Sequence, residues 1–147
     1  MIVKKDNYSI STDKKKLNIA FIHHYLSNLS YWAEQIPVET VKKAIRGSLC
    51  FGVYEEDKQI GFGRMITDKA TFTYMADVFI DEKYRGRGLS KWLMETIMGY
   101  PDFQGFRSWQ LATRDAQGLY AKFGFKPLDF PERIMRKNVP DIYKNKD

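Results

Sequence analysis

"DEKYRGRGLSKWLM" (Asp81–Met94) sets two glycines and two arginines directly ahead of an apolar repeat. Leu89, Trp92, Leu93, Thr96, Ile97 and Tyr100 recur at three- and four-residue spacing, and Pro101 lies just past the end, so a helix begins at the glycines. The preceding "ADVFI" (Ala76–Ile80) reads as a strand. A helix start leaves backbone N–H groups unpaired and carries the positive end of the helix dipole. Gly86 and Gly88 allow backbone angles and close approach that a Cβ would obstruct, so the N–H groups of Arg85–Ser90 can form a concave nest for a pyrophosphate. Arg85, Arg87 and Lys91 add positive charge beside it. "RGRG" also occurs in ordinary tight turns and in RNA-binding tails, but a strand on one side and an amphipathic helix on the other put this copy in a packed fold. The chain has no GxxxxGK[ST], and the stretch is not a GxGxxG of a βαβ unit followed by an acidic residue. Nucleotide hydrolysis and hydride transfer lose ground accordingly.

Outward from this stretch, 147 residues with 44% hydrophobic content fit a single domain with one core over residues 1–147. A formal charge of +6 favours an anionic partner without choosing among a phosphorylated cofactor, nucleic acid and an acidic surface. One cysteine, Cys50, forms no internal disulfide, the N-terminus lacks the apolar run of a signal peptide, and no stretch approaches the roughly 20 apolar residues of a membrane span. A cytoplasmic protein without membrane attachment is expected.

The β-rich runs Ser48–Glu55, Gln59–Thr67 and Ala70–Ile80, separated by polar turns, predict an antiparallel meander. Before it, Leu17, Ala20, Phe21, His24 and Tyr25 mark a first helix with Ser11, Thr12 and Asp13 as candidate caps; Pro37 opens a second, with Val38, Val41 and Ile45 on one face, ending near Gly47. After the central helix come a short strand in "RSWQLAT", a helix that Asp115 can cap and Gly124 closes, and a final strand pair in "FKPL" and "RIMRK". The pattern predicts a mixed, mostly antiparallel α/β (α+β) sheet with helices on both faces, and a loose tail over residues 138–147.

Strand, "YRGRGLS", helix and, some thirty residues on, "GLYAKFGF" together resemble the GNAT superfamily of acetyl-CoA-dependent N-acetyltransferases. The resemblance spans nearly the whole chain. The family's [Q/R]xxGx[G/A] signature falls on Arg85, Gly88 and Ser90, the last being a departure in which a small Ser permits the same backbone path. "SYWA…IP", "ADVF" and "TRDAQGLYAKFGF" further resemble a small single-domain subgroup. The resemblance implies the GNAT acyl-CoA N-acyltransferase fold and direct acetyl transfer from acetyl-CoA to a primary amine of a small molecule or peptide. It also implies a donor arm running along Val78, Phe79 and Ile80, with a backbone N–H near Val78 facing the acyl oxygen. The diphosphate would sit at Arg85, Gly86, Arg87, Gly88, Leu89, Ser90 and Lys91.

Acetyl transfer to an amine needs a base, an oxyanion donor and an acid for the departing thiolate. Tyr120 holds the family's general-acid position, and it also continues the apolar face Ala116, Leu119 and Phe123. Asp77 is a candidate base one residue before Val78; strand alternation turns it to the opposite side unless a bulge re-aims it, and an Arg-paired buried Asp is the competing reading. His23 and His24 are further candidates, each also explained by packing or surface position. Tyr31, Trp32 and Glu34 could wall an acceptor pocket or plug the core beneath a loop. Cys50 alternates with its neighbours as core filler, and two adjacent histidines with one distant cysteine make no metal site. The expected state is a monomer or homodimer that binds no nucleic acid. A non-catalytic acyl-CoA-binding or regulatory module is the alternative.

Overall fold

The computed structural model describes residues 1–144. The chain opens with a hairpin of β1 (Ile2–Lys5) and β2 (Tyr8–Ser11), turning through Asp6 in the left-handed region at φ 56°. This hairpin is absent from the sequence reading, which assigned Ser11, Thr12 and Asp13 to a helix cap. Ile10 is fully buried and Tyr8 half-buried, so a strand period places Ser11 in β2 instead. Asp13 caps only a single 3-10 turn, Lys14–Lys16. The helix α1 (Ile19–His24) starts at Asn18, whose Oδ1 accepts from the Phe21 N–H, and continues into a π-helical turn, Tyr25–Leu29.

Pro37 precedes α2 (Val38–Arg46), which buries Val41 and Ile45 and ends at Gly47, as its spacing predicts. The meander then forms from β3 (Leu49–Glu55), β4 (Lys58–Thr67) and β5 (Phe72–Ile80). Between β4 and β5 the Asp68 carboxylate accepts from the N–H groups of Ala70, Thr71 and Phe72 and from the Thr71 hydroxyl, which holds its carboxyl well below the usual range. After the glycine loop, α3 (Leu89–Met98) crosses to β6 (Ser108–Leu111), which pairs parallel to β5. The six strands lie in the order β1-β2-β3-β4-β5-β6, and every other pairing is antiparallel.

The helices cover both faces of this sheet. On one, α3 buries Leu89, Trp92, Leu93, Met94 and Ile97 against Phe51, Ile60 and Met65. Each such side chain contributes about 1.5–3 kcal/mol by leaving water. On the other face, α1, α2 and the π-helical turn pack Ile22, Leu26, Val41 and Ile45 on Cys50, Phe62 and Phe79. Burial pushes the Cys50 thiol up to about 11, so it stays protonated core filler.

The last helix, α4 (Gln117–Ala121), departs from the expected cap: Ala116 occupies the N-cap, and its own N–H donates to Thr113 Oγ1. Asp115 stands one position too early to reach the first-turn amides. Gly124 closes the segment at φ 91° as expected. The predicted final strand pair does not form. "FKPL" and "RIMRK" are irregular: Pro127 removes a ladder donor within the first, a 3-10 turn over Pro131–Arg133 runs into the second, and Leu128, Phe130, Ile134 and Met135 are exposed. Residues 138–144, expected to be loose, return Tyr143 half-buried against the second core cluster; residues 145–147 lie outside the described residues.

Candidate active site

Strand β5 carries the irregularity on which the site is built. Phe62 pairs with Phe79 and Arg64 with Ala76, so the single residue Gly63 faces both Asp77 and Val78. This is a β-bulge. Asp77 sits in it at φ 54°, a conformation that non-glycine residues take only under constraint. The bulge breaks the alternation that would have hidden Asp77, and the carboxylate reaches the wall of the cleft.

Pairing between β5 and β6 ends at Met75 with Leu111, which leaves Ala76–Ile80 with no β6 partner. The two parallel strands part there. A cleft of about 620 Å³ opens in the gap, lined by residues of β4, β5, the 30–36 loop, the segment after β6 and the C-terminal arm. Its size suits a small ligand.

Asp77 is tied on both oxygens. Oδ1 accepts from Trp32 Nε1 at 2.8 Å, and Oδ2 accepts from Arg64 Nε at 2.8 Å in an ion pair whose side chains are only 11% and 16% exposed. Arg64 also donates to Ser48 Oγ. A lone arginine in the apolar run "GFGRMIT" signals a buried counter-charge, a clue that sequence reasoning did not use. Trp32 and Tyr31 both line the cleft, and the Tyr31 hydroxyl accepts from the Arg114 N–H at 2.8 Å. The aromatic loop is thereby stitched to β5 and to the segment that follows β6.

Tyr120, on α4, lines the same cleft. Burial, and secondarily the neighbouring Tyr31 phenol, raise its pKa above the usual 10.0, so it holds its proton across the neutral range. Its ring packs edge-on against Phe125, with centroids 6.0 Å apart. Packing and cleft exposure coexist in this residue.

Other candidates stand apart. His23 must carry a proton on Nε2, because that atom lies 2.9 Å from the Ile36 carbonyl, which can only accept; it braces the 30–36 loop outside the cleft lining. His24 pairs with Asn28 on the surface. Glu34 is exposed and does not line the cleft. Arg64, Arg114, Arg136 and Tyr143 do line it, and of these the sequence reading singled out none.

At the other end of the unpaired edge, β5 runs into the glycine loop. Gly86 and Gly88 have φ 79° and 76°, and a Cβ at either would meet no protein atom within 4 Å. Gly88 is the N-cap of α3, with no side chain capping it. Among the described residues, no backbone acceptor serves the N–H groups from Gly86 to Lys91. An open concavity bordered by free donors fits a diphosphate. The arginines are placed differently from one another. Arg85 folds back to donate to the Ile80 carbonyl and the Tyr25 hydroxyl, bracing the loop, and Tyr25 in turn stacks on Phe79 at 3.8 Å. Arg87 lies over Tyr84 and donates to Tyr8, and Lys91 stands 3.9 Å from Glu95. A Gly88→Val substitution is expected to weaken binding of a diphosphate-bearing ligand about tenfold or more by calorimetry, since a β-branched residue resists positive φ and its Cβ fills the concavity.

Among the described residues no group of three or more His, Cys, Asp and Glu could hold a metal, and no helix is long and apolar enough to cross a membrane.

Comparison with known proteins agrees with this geometry. Residues 46–127 match the acetyltransferase (GNAT) domain profile. A crystal structure of a GNAT-family protein from Xanthomonas campestris pv. campestris superposes with a TM-score of 0.92 at 47% identity, covering 94% of this chain and 97% of that one. The protein FG08082 of Gibberella zeae, which bears an acetyltransferase name, is 32% identical over 80% of this chain and 78% of its own length. A GNAT-family acetyltransferase from Elizabethkingia anophelis with acetyl-CoA bound shares the fold alone, with a TM-score of 0.62 at 17% identity over 87% of this chain and 85% of that one. A bulged strand parting from its parallel neighbour, a bare loop at a helix start and these likenesses have one common account: the chain belongs to the GNAT family of acetyltransferases.

Proposed function

We propose that this protein transfers the acetyl group of acetyl-CoA directly to a primary amine of a small molecule or peptide. The observation that carries the reading is the unpaired edge Ala76–Ile80, which joins the open glycine loop at one end to a cleft walled by Asp77 and Tyr120 at the other. Bound acetyl-CoA supplies an activated thioester carbonyl. The free N–H groups of Gly86–Lys91 hold its diphosphate, and the backbone of Val78, Phe79 and Ile80 aligns its arm. The N–H near Val78 faces the acyl oxygen and takes up its developing charge.

Two proton-handling roles follow. The amine nitrogen must bond to the acyl carbon as a neutral base, and Asp77 receives the proton it sheds, directly or through water. Tyr120, kept protonated by burial, gives its proton to the sulfur as the C–S bond breaks. Tyr31 and Trp32 wall the acceptor side, and the Trp32 indole fixes the Asp77 carboxylate. His23 and Glu34 take no part in this reading. An Asp77→Asn protein is expected to turn over roughly 10–100-fold more slowly. It should also lose about 2 kcal/mol in a denaturant titration, because Arg64 keeps its partner's shape without the charge.

One observation favours a binding module without turnover: both Asp77 oxygens are already engaged. Thiol release from acetyl-CoA with a panel of primary amines separates the two readings. Amine-dependent release supports transfer. Tight acetyl-CoA binding with no release for any amine would leave the non-catalytic reading.

A further inference from the structure

The cleft's own charges point to the kind of amine it accepts. Its lining contains three arginines, Arg64, Arg114 and Arg136, and two aspartates, Asp77 and Asp115. Arg64 and Asp77 cancel in their 2.8 Å pair. Arg114 and Arg136 therefore stand against Asp115 alone, one positive charge in excess.

Neither guanidinium has a side-chain hydrogen bond or ion pair among the described residues. Arg114 is nevertheless held in place. Its guanidinium lies over the Tyr31 ring, 3.9 Å from the centroid, while its backbone N–H donates to the same residue's hydroxyl. Stacking uses the face of the guanidinium and leaves its in-plane N–H donors directed outward. Arg136 reaches the cleft from the C-terminal arm, which Tyr143 anchors to the second core cluster and which also lines the cavity.

A plain alkylammonium ion would enter such a cleft against its net charge. An amine that also carries an oxyanion would be drawn in, because planar forked donors match carboxylate and phosphate oxygens. Resting on the acetyl-transfer reading, we infer that the acceptor is a small amine bearing an oxyanion, carboxylate or phosphate, which Arg114 and Arg136 receive while the amino group reaches the acyl carbon. The two arginines act as specificity determinants. They leave the chemistry at Asp77 and Tyr120 unaltered.

Binding of acetylated products tests this without requiring turnover. N-butylacetamide, N-acetyl-4-aminobutyrate and N-acetyl-O-phosphoethanolamine would be titrated into the full chain, with the Trp32 indole N–H signal as reporter. At least one charged compound is expected to bind tenfold or more tighter than the neutral amide, and the preferred one names the oxyanion. Arg114→Gln and Arg136→Gln should each reduce that preference several-fold. Equal affinity for all three compounds, or a preference that survives in both variants, would overturn the inference. In parallel, thiol release would be followed with n-butylamine, 4-aminobutyrate and O-phosphoethanolamine. Selective product binding with no release for any amine would reject transfer while keeping the oxyanion site, whereas release without selectivity would reject the site and keep transfer.

Discussion

A Tyr120→Phe protein is expected to release thiol from acetyl-CoA roughly 10²–10³-fold more slowly than the parent, with the dissociation constant for acetyl-CoA unchanged within about twofold. The substitution removes one oxygen. The ring keeps its packing on Phe125, so loss of fold does not account for the effect. Because burial raises the phenol's pKa above 10.0, the protonated form that the proposed acid role requires is present throughout the neutral range and is lost only as pH rises through that elevated value. The parent should therefore show no Tyr120-dependent fall in kcat below about pH 10. Stopped-time thiol assays on both proteins, with calorimetry for donor binding, provide the check. Parent-like turnover in the variant would remove Tyr120 as the acid.

The largest expected effect on stability lies in the sheet, at Gly61. A Cβ there would approach Ile80 Cδ1 at 2.6 Å, the Phe79 carbonyl at 3.0 Å and Val53 Cβ at 3.1 Å. Gly61 pairs with Ile80 on β5 and Val53 on β3, so two neighbouring strands press on it and neither can retreat without disturbing its ladder. Gly61→Val should cost about 3 kcal/mol and lower Tm by about 10 °C. Two residues along the same strand, Gly63 offers a contrast. Its nearest neighbours would lie 3.6 Å or more from an added Cβ, so Gly63→Ala should move Tm by no more than a few degrees. Equal losses at both positions would mean that glycine is needed in β4 for backbone freedom rather than for close approach.

The elements that sequence periodicity marked were found where local chemistry alone selects them. Pro37 and Gly47 bound α2, and the turn at Asp68 closes on its own carboxylate. The glycine loop is similarly legible, because Gly86 and Gly88 take a backbone conformation that few other residues adopt easily. The N-terminal hairpin is legible too, in the alternation of Val3, Tyr8 and Ile10 about "DN", although Ser11, at the end of its second strand, is also a residue type that caps helices. "FKPL" and "RIMRK" failed in the other direction. Their apolar residues suggest strands, yet Pro127 supplies no donor within the first and a 3-10 turn over Pro131–Arg133 runs into the second.

Sequence by itself therefore determined the order of elements from α1 to α4, the bare loop ahead of α3 and the place of Tyr120 in its motif, because each depends on residues within about one helical turn of one another. Tertiary structure alone decided what Asp77 does. Its orientation depends on a bulge opposite Gly63, and its two oxygens are held by Arg64 and Trp32, which lie 13 and 45 residues away. The same holds for Arg114 on Tyr31, 83 residues apart, and for Arg136 at the far end of the chain. A side chain's neighbours across a sheet follow from register and closure of the whole fold, and one residue of slip in β5 would give Asp77 a different set of partners.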